Sequence, residues 1–511
     1  MNPLEAPSIA YAALSPILII FGAALIGVLV EAFVPRVARF PSQVGLSVVA
    51  ILSACIAVFA QRNTAVLTAA DAVAIDGPTL FATGAILVFG LLATMLYGDR
   101  SLDSAGSHFV AEGALPAGSR ADRALLTSER VQTEVFPLSL FAIGGMMIFV
   151  ASNNLLVLFV ALEVFSLPLY LMAGLNRRRR LLSQEAAVKY FLLGAFASGF
   201  LIYGIALVYG FAGSIDLRGI FDATRTTTDN DGFLLMGLGL VLVGLLFKAG
   251  IAPFHAWTPD VYQGSPTPVA GFMSAATKLA AFVIMLRVLY VAFGAVPSLW
   301  QPLIAVIAII SMVVGALMGL TQNDFKRMLA YSSIAHAGFI LLAVIGNSKD
   351  GVAGTLFYVA TYGVASIAAF ACISLIRTGD GEVSSLEAWK GMGRRNPLLA
   401  AVVTILMLSM TGIPLTAGFI GKFEAFRAAL DAGYGWLVVV ALLLSAVTAA
   451  FYLRVIVYMY FHDVPADAPP ISTPGTPTTV VIGVCTFLTV LLGVAPGILL
   501  DIAAKAATFV A

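Results

Sequence analysis

The chain is 511 residues long, 60% hydrophobic and only 11% charged, with 28 Lys and Arg against 27 Asp and Glu; an ordinary soluble protein carries about a quarter charged residues, so this composition excludes a water-soluble fold. A formal net charge of +1 with scattered basic residues excludes a broad face for nucleic acid. The three cysteines, Cys55, Cys372 and Cys485, each stand alone in apolar sequence, which excludes a disulfide framework or a cysteine metal cluster.

A bilayer core about 30 Å thick takes about 20 apolar residues per helix. Hydropathy along the chain predicts an all-α polytopic membrane protein with about 14 transmembrane helices. In order they cover residues 14–33, 44–60, 78–97, 135–150, 153–173, 186–211, 233–253, 267–293, 300–320, 327–345, 352–376, 397–428, 435–461 and 478–500, the twelfth broken in its middle. The opening segment has neither a basic n-region nor a small-residue cleavage site, so it reads as a retained span and not as a signal peptide. The closely spaced segments 135–150 and 153–173 also fit one re-entrant unit. Two polar stretches stand out: Gly98 to Thr133 reads as an exposed loop without chemistry, and Asp463 to Thr479, rich in proline and threonine, as an extended surface linker.

Lys and Arg in the connections set the orientation. With the N-terminus outside, the odd-to-even connections face the cytoplasm. They hold Arg36, Arg39, Arg100, Arg120, Arg123, Arg130, Arg177 to Arg180, Lys326, Arg327, Arg377, Lys390, Arg394 and Arg395, which is 16 basic residues against 6 in the opposite connections and the C-terminal tail. Both termini are therefore predicted outside.

An ionised side chain in mid-bilayer costs about 2.5 to 3.5 kcal/mol on insertion scales, so it usually faces a protein interior or a water-filled path. Glu163, Lys189, Lys248, Lys278, Arg287 and Lys422 all fall in apolar sequence, as does His336. Lys278 is about eleven residues or more from either end of its span and too deep to snorkel, whereas Lys189 and Arg287 can reach an interface. Glu163 fits a structural ion pair with a lysine of a neighbouring helix, and such a pair would still titrate. His336 and His255 fit local hydrogen bonding and proton relay equally well.

Span seven contains Lys248 followed by Pro253, and span twelve contains Gly412 and Pro414 followed by Gly418, Gly421 and Lys422. Proline removes a backbone donor and clashes with the preceding turn, so both helices should be interrupted at membrane depth. In transporters such breaks recur at matching places in two halves of the fold, near the conducted ion. Spans seven and twelve are five apart, an odd number, so two five-helix repeats would lie in opposite orientations. Among the motifs, no GxxxxGK[ST] loop occurs, so nothing points to ATP hydrolysis. What remains is a series of Glu and Lys residues strung along mid-membrane, whose proton affinity switches as opposite charges separate or approach.

The segment FKAGIAPFHAWTPDVYQGSPTPVAGFMSAATKLAAF, Phe247 to Phe282, closely resembles the signature of the antiporter-like subunits of respiratory complex I, the proton-translocating NADH:quinone oxidoreductase. FVALEVFSLPLYLMAG, DFKRMLAYSSIAHAGF and GIPLTAGFIGKFEAF are similar to further motifs of that family, and the likeness spans roughly residues 130 to 460. WTPDVYQGSPTPV looks like subunit N, the equivalent of mitochondrial subunit 2; a histidine that sister subunits M and L tend to carry near the span-eight lysine is absent here.

The resemblance implies helices 1–3 with a cytoplasmic loop over residues 1–133, a first five-helix repeat over 134–294, a second inverted repeat over 295–461, and a linker with helix 14 over 462–511. It implies that Glu163 pairs with Lys248 of broken span seven, that Lys278 is the central lysine, and that Lys422 of broken span twelve faces the outer exit. Lys189 matches a lysine of span six, and His336 joins the translocation residues. It further implies a proton-translocating membrane subunit of a translocase-class enzyme, in the bacterial inner membrane. The chain itself would hold no cofactor and no redox site, with NADH, FMN, iron-sulfur clusters and quinone in partner subunits. The partners implied are the sister subunit M and the small subunits K and J. A cation/proton antiporter of the Mrp type is the alternative.

Overall fold

The structure, a computed structural model, describes residues 9–510 apart from 104–105, 111, 117, 127–130, 227–231 and 380. Arg130, one of the basic residues that orient the chain above, lies outside the described residues. Twelve helices among the described residues are long and apolar enough to cross a membrane. Two shorter apolar helices, Val135–Ala151 and Pro397–Thr411, stand where the fourth and twelfth spans were expected. The fourth and fifth segments are two separate helices, Val135–Ala151 and Leu155–Ala173, joined by three residues.

Burial locates the centre of the bundle. A helix that is apolar all round must be surrounded by protein or lipid. The apolar windows of Thr267–Ala292, Phe325–Ile345 and Lys349–Ile373 are 100% buried inside the protein, against 28% for Arg36–Ala60 and Gly435–Phe461. Spans eight, ten and eleven are therefore the inner helices. Spans two and thirteen are outer ones, turning Val49, Ile56 and Leu443 away from the protein. Capping is local: Asp76, Asn154, Asp324 and Ser348 each accept a backbone N–H from the first turn of the helix that follows.

Both predicted interruptions are present. Span seven runs as Gly232–Ala249 and resumes as Trp257–Gly264, with Pro253 in the gap; span twelve runs as Pro397–Thr411 and resumes as Ala417–Asp431, with Pro414 in the gap. Gly250 and Gly412 end the two first halves at φ +68° and +89°, a conformation that favours glycine. A Cβ on Gly418 would lie 1.9 Å from the Ser409 carbonyl oxygen, so the halves of span twelve pack at a separation that excludes any side chain there. Span eight is continuous but widens into π-helix at Met273–Thr277, directly before Lys278, and again at Val288–Ala292, directly after Arg287. Such π-turns are often found at functional sites.

The connections rich in arginine share one face, called the basic face below, and charge knits them together. Arg178 and Arg377 both hold Asp103, at 3.1 and 2.9 Å. Arg179 donates to the Glu382 carbonyl at 2.7 Å, the Thr267 hydroxyl donates to the Glu382 carboxylate, and Lys326 lies 3.5 Å from that carboxylate. This corrects the expectation of an exposed loop for residues 99–110, whereas most of the described residues of 112–124 are exposed. Asp99, Asp103, His108 and Phe109 are buried, and Phe109 pairs with Asn176 before span six. Composition misled here because Asp103 is satisfied by arginines from other connections and Asp99 by Ser101 and the Gly475 backbone N–H. The stretch Asp463 to Gly475 runs without helix and is tied down where Ile471 bridges to Ile376, whereas Thr476 to Thr479, expected to be extended, already belong to the last span, Thr476–Val494, which Pro477 opens.

Burial raises the Glu382 carboxyl, but Lys326 and Arg377 prevail and hold it down at about 2. Burial, with Arg377 beside it, pushes the His108 imidazole from the ordinary 6.5 to about 4. Between those two values the unfolded histidine binds a proton that the folded one refuses, so the basic face loses stability as the pH falls from 6.5 towards 4. Limited proteolysis of residues 99–110 should therefore quicken over that window, and His108→Leu should flatten the dependence.

The opposite face carries a second correction. Arg287 does not snorkel: it is fully buried, donating to Asp76 at 2.7 Å, to Thr79 Oγ1 at 2.8 Å and to the Val150 carbonyl at 3.3 Å. Asp76 also accepts the Val510 backbone N–H at 2.9 Å, which anchors the end of the chain to the start of span three, Gly77–Gly98.

Candidate functional site

The buried lysines lie along the middle of the bundle, and each is held by dipoles. Lys248, one residue before the break in span seven, donates to Ser166 Oγ at 2.7 Å and to the Tyr190 hydroxyl at 3.3 Å. Its ammonium lies 4.4 Å from the centre of the Phe165 ring, with Tyr190 and Tyr170 at 5.3 and 5.7 Å, a cage that favours a cation. Glu163, one turn from Ser166 on span five, accepts instead from the Ser198 hydroxyl. Each group is thus held by a different serine, and among the described residues Glu163 and Lys248 form no direct ion pair. Sequence could place the two groups on facing helices, but it could not show that each is held by its own serine.

Lys278 and Lys422 use the helix breaks in the same way. The last carbonyls of an interrupted helix have no intrahelical partner and carry the negative end of the helix dipole. Lys278 donates to Ala249, the last residue of the first half of span seven, at 3.0 Å, and to the Ser333 carbonyl at 2.9 Å. Lys422 donates to Thr411, the last residue of the first half of span twelve, at 2.7 Å, and to Ser445 Oγ at 2.8 Å. Both are buried, and no carboxylate lies within ion-pair distance of either among the described residues. An ammonium so held changes its protonation as neighbouring charges change.

His336 completes the line. It is buried on span ten, with Nδ1 2.9 Å from the Tyr358 hydroxyl and Nε2 3.0 Å from the Tyr452 hydroxyl. Tyr452 in turn shares a hydrogen bond with Ser332. The His336 ring centre is 4.8 Å from that of Tyr362, over which Lys278 lies at 6.0 Å. On the other side Phe339, beside the Lys422 ammonium at 4.8 Å, stacks edgewise near His336. His336 therefore sits between the two lysines.

Lys189 stands apart from this line. It is paired with Glu185 at 2.5 Å and Asp260 at 2.6 Å, its side chain is 41% exposed, and Asp260 also binds Arg327 at 2.5 Å. His255 lies half-buried in the span-seven gap, its Nδ1 without a hydrogen-bond partner among the described residues. Sequence reasoning missed Ser166, Tyr190, Tyr358, Tyr452 and Ser445, whose partners lie 22 to 116 residues away. No spacing rule finds such pairs.

Interrupted helices whose freed carbonyls receive lysines, in a bundle with twelve long and two shorter apolar helices among the described residues, define a membrane protein of the ion-translocating antiporter class. The chain belongs to the NADH:quinone oxidoreductase/Mrp antiporter transmembrane family, whose pattern matches residues 152–448. It is 56% identical over 502 residues to NADH-quinone oxidoreductase subunit N of Parafrankia sp. (strain EAN1pec), covering 98% of this chain and 96% of that one. It is 55% identical over 507 residues to the subunit N of Saccharopolyspora erythraea, covering 98% of both. Among solved structures, a chain of respiratory complex I from Thermus thermophilus matches with a TM-score of 0.77 at 34% identity, covering 96% of this chain and 99% of that chain. A chain of the Mrp complex from Dietzia sp. DQ12-45-1b matches with a TM-score of 0.82 at 19% identity, over 98% and 97% of the two chains, a likeness of fold alone.

Proposed function

We propose that this chain is the proton-translocating N-type membrane subunit of a bacterial NADH:quinone oxidoreductase, and that Lys248, Lys278, His336 and Lys422 carry the proton across it, with Glu163 modulating Lys248. The observation that carries the reading is the use of the two breaks: each first half-helix presents its last free carbonyl to a buried lysine with no carboxylate partner. Glu163 stands one turn from Ser166, the acceptor of Lys248, so charge at Glu163 changes the field at Lys248. Lys248 lies one residue from Ala249, the acceptor for Lys278, so a change at one lysine is felt at the next. The domain division follows the breaks, with residues 134–294 and 295–461 as inverted repeats between the flanking segments 1–133 and 462–511. Lys189, tied to Asp260 in the second half of span seven, adjusts the position of that half-helix.

The excess of basic residues on one face supports an orientation with that face in the cytoplasm and both termini on the outer side of the inner membrane. Subunits M, K and J are the neighbours the reading requires, and NADH, FMN, iron-sulfur clusters and quinone belong to partner subunits. The antiporter alternative is less favoured, because identity to subunit N runs over nearly the whole chain whereas the Mrp likeness is one of fold. The test is NADH-driven proton pumping in membrane vesicles carrying Lys278→Ala, with quinone reduction and assembly measured in parallel. Pumping should fall by about 10²-fold or more, the lower end of what a positioned proton carrier contributes. Unchanged pumping in an assembled complex would overturn the reading.

A further inference from the structure

A cavity on the basic face, well away from the lysine line, is built from the ends of four spans. It has a volume of about 610 Å³, within the range of small-molecule sites. Its walls are the close of span one, Tyr11–Phe33, the opening of span two, Arg36–Ala60, the connection after span three and the residues just before span four. Three arginines and three glutamates line it: Arg36, Arg39, Arg100, Glu31, Glu112 and Glu134.

The partners of these charges divide them. Arg39 lies 3.6 Å from Glu31 and donates to the Val34 carbonyl at 2.8 Å, while Gln43 donates to the other oxygen of Glu31 at 2.7 Å, so this pair is closed within the protein. Arg36 and Arg100 are exposed, and among the described residues neither forms an ion pair or a hydrogen bond. The Arg100 guanidinium rests over the Phe40 ring, 5.3 Å from its centre, and Phe40 packs edge-on against Phe136 of span four with centres 6.0 Å apart. Glu134 accepts from the Gln132 amide at 2.7 Å, a neutral donor that leaves the carboxylate charge in place. The position in the bilayer narrows the occupant further. Arg36 and Val37 open span two, so the positive end of that helix adds to the field in the cavity. Phe33 and Val37 are 81% and 93% exposed at the turn between spans one and two, an apolar rim where the helices leave the membrane. The apolar windows of those spans are only 33% and 28% buried in the protein, so acyl chains can lie along them.

We propose that this cavity binds the headgroup of a zwitterionic phospholipid of the phosphatidylethanolamine type. Arg36 and Arg100 hold its phosphodiester, Glu134 takes its ammonium, and its acyl chains run along spans one and two. Guanidinium and phosphate form charge-assisted hydrogen bonds with matched planar geometry, stronger than neutral ones. A free phosphate would satisfy the arginines but make no use of the apolar rim, and a purely anionic lipid would leave Glu134 facing like charge. A headgroup so held fastens the outermost pair of spans to the segment that enters span four. The site is independent of the proton carriers proposed above.

The test is photolabelling of the assembled complex in vesicles of mixed phosphatidylethanolamine and phosphatidylglycerol. A trace of one lipid or the other carries a diazirine in its acyl chain near the ester, and the labelled residues are mapped by mass spectrometry. The phosphatidylethanolamine probe should label residues 25–40 more strongly than the phosphatidylglycerol probe. Arg36→Gln with Arg100→Gln should lower that labelling about tenfold, the scale of one hydrogen bond to a charged group. Glu134→Gln should lower it about threefold, the scale of an exposed ion pair, and spare the phosphatidylglycerol probe. These three side chains are exposed and pair with no other span, so the complex should still assemble and pump; should the double variant fail to assemble, Arg36→Gln alone serves, with a loss in the same direction. Equal labelling by the two probes in the wild type, or unchanged labelling in the assembled arginine variants, would overturn the site. Full competition by soluble glycerophosphoethanolamine would overturn the lipid assignment, because the acyl chains would then contribute nothing.

Discussion

Arg287→Ala is expected to destabilise the chain by about 3 to 5 kcal/mol, the usual consequence of leaving one member of a buried ion pair without the other. The pair is fully buried, with side-chain exposures of 0% for Arg287 and 1% for Asp76. Asp76 does three things at once: it binds Arg287, caps span three through the Thr79 N–H at 3.1 Å, and receives the Val510 N–H. Without the guanidinium, its charge remains in a site that excludes water. Loss of the assembled subunit, or a steep fall in the melting temperature of the purified complex, is the expected readout. The double variant Asp76→Asn with Arg287→Met removes both charges and keeps an acceptor for the cap, so it should recover most of the stability. If the double variant is as unstable as Arg287→Ala, the loss comes from packing and not from the stranded charge.

Most of the fold was legible because a membrane imposes its own length and polarity on helices. Lys248, Lys278, Lys422 and His336 stood out as costly groups in apolar runs, and Pro253 and Pro414 marked both breaks. Arg287 was visible as a charge but misread, because its partner Asp76 lies 211 residues away in a connection where an acidic residue costs nothing. The basic-face stretch around His108 was misread for the opposite reason. Asp103 looks solvent-facing until Arg178, just before span six, and Arg377, just after span eleven, are brought in. Likewise, the serines that hold Glu163 and Lys248 are ordinary helix residues until the helices pack.

The hydroxyls that bracket His336 carry the second large effect. Tyr358→Phe with Tyr452→Phe removes both hydrogen-bond partners of the imidazole and preserves the rings, so packing around Tyr362 and Phe339 changes little. An imidazole hydrogen-bonded at both nitrogens can accept a proton at one and release it at the other; stripped of both partners it has no neighbour to exchange with. Pumping by the assembled complex should fall by about 10²-fold, within the range lost when a positioned proton donor or acceptor is removed. Each single variant should lose less, since one nitrogen keeps its partner. The comparison with Lys278→Ala is informative because the tyrosines lie beyond Lys278 on the way to Lys422. Solvent-exchangeable protons should still reach Lys278 in the double tyrosine variant, whereas net transfer to the opposite face should not occur. Proton uptake from the basic face with no release opposite, measured on single turnovers with a dye on each side, is the expected pattern, and equal uptake and release would mean that the proton reaches Lys422 without His336.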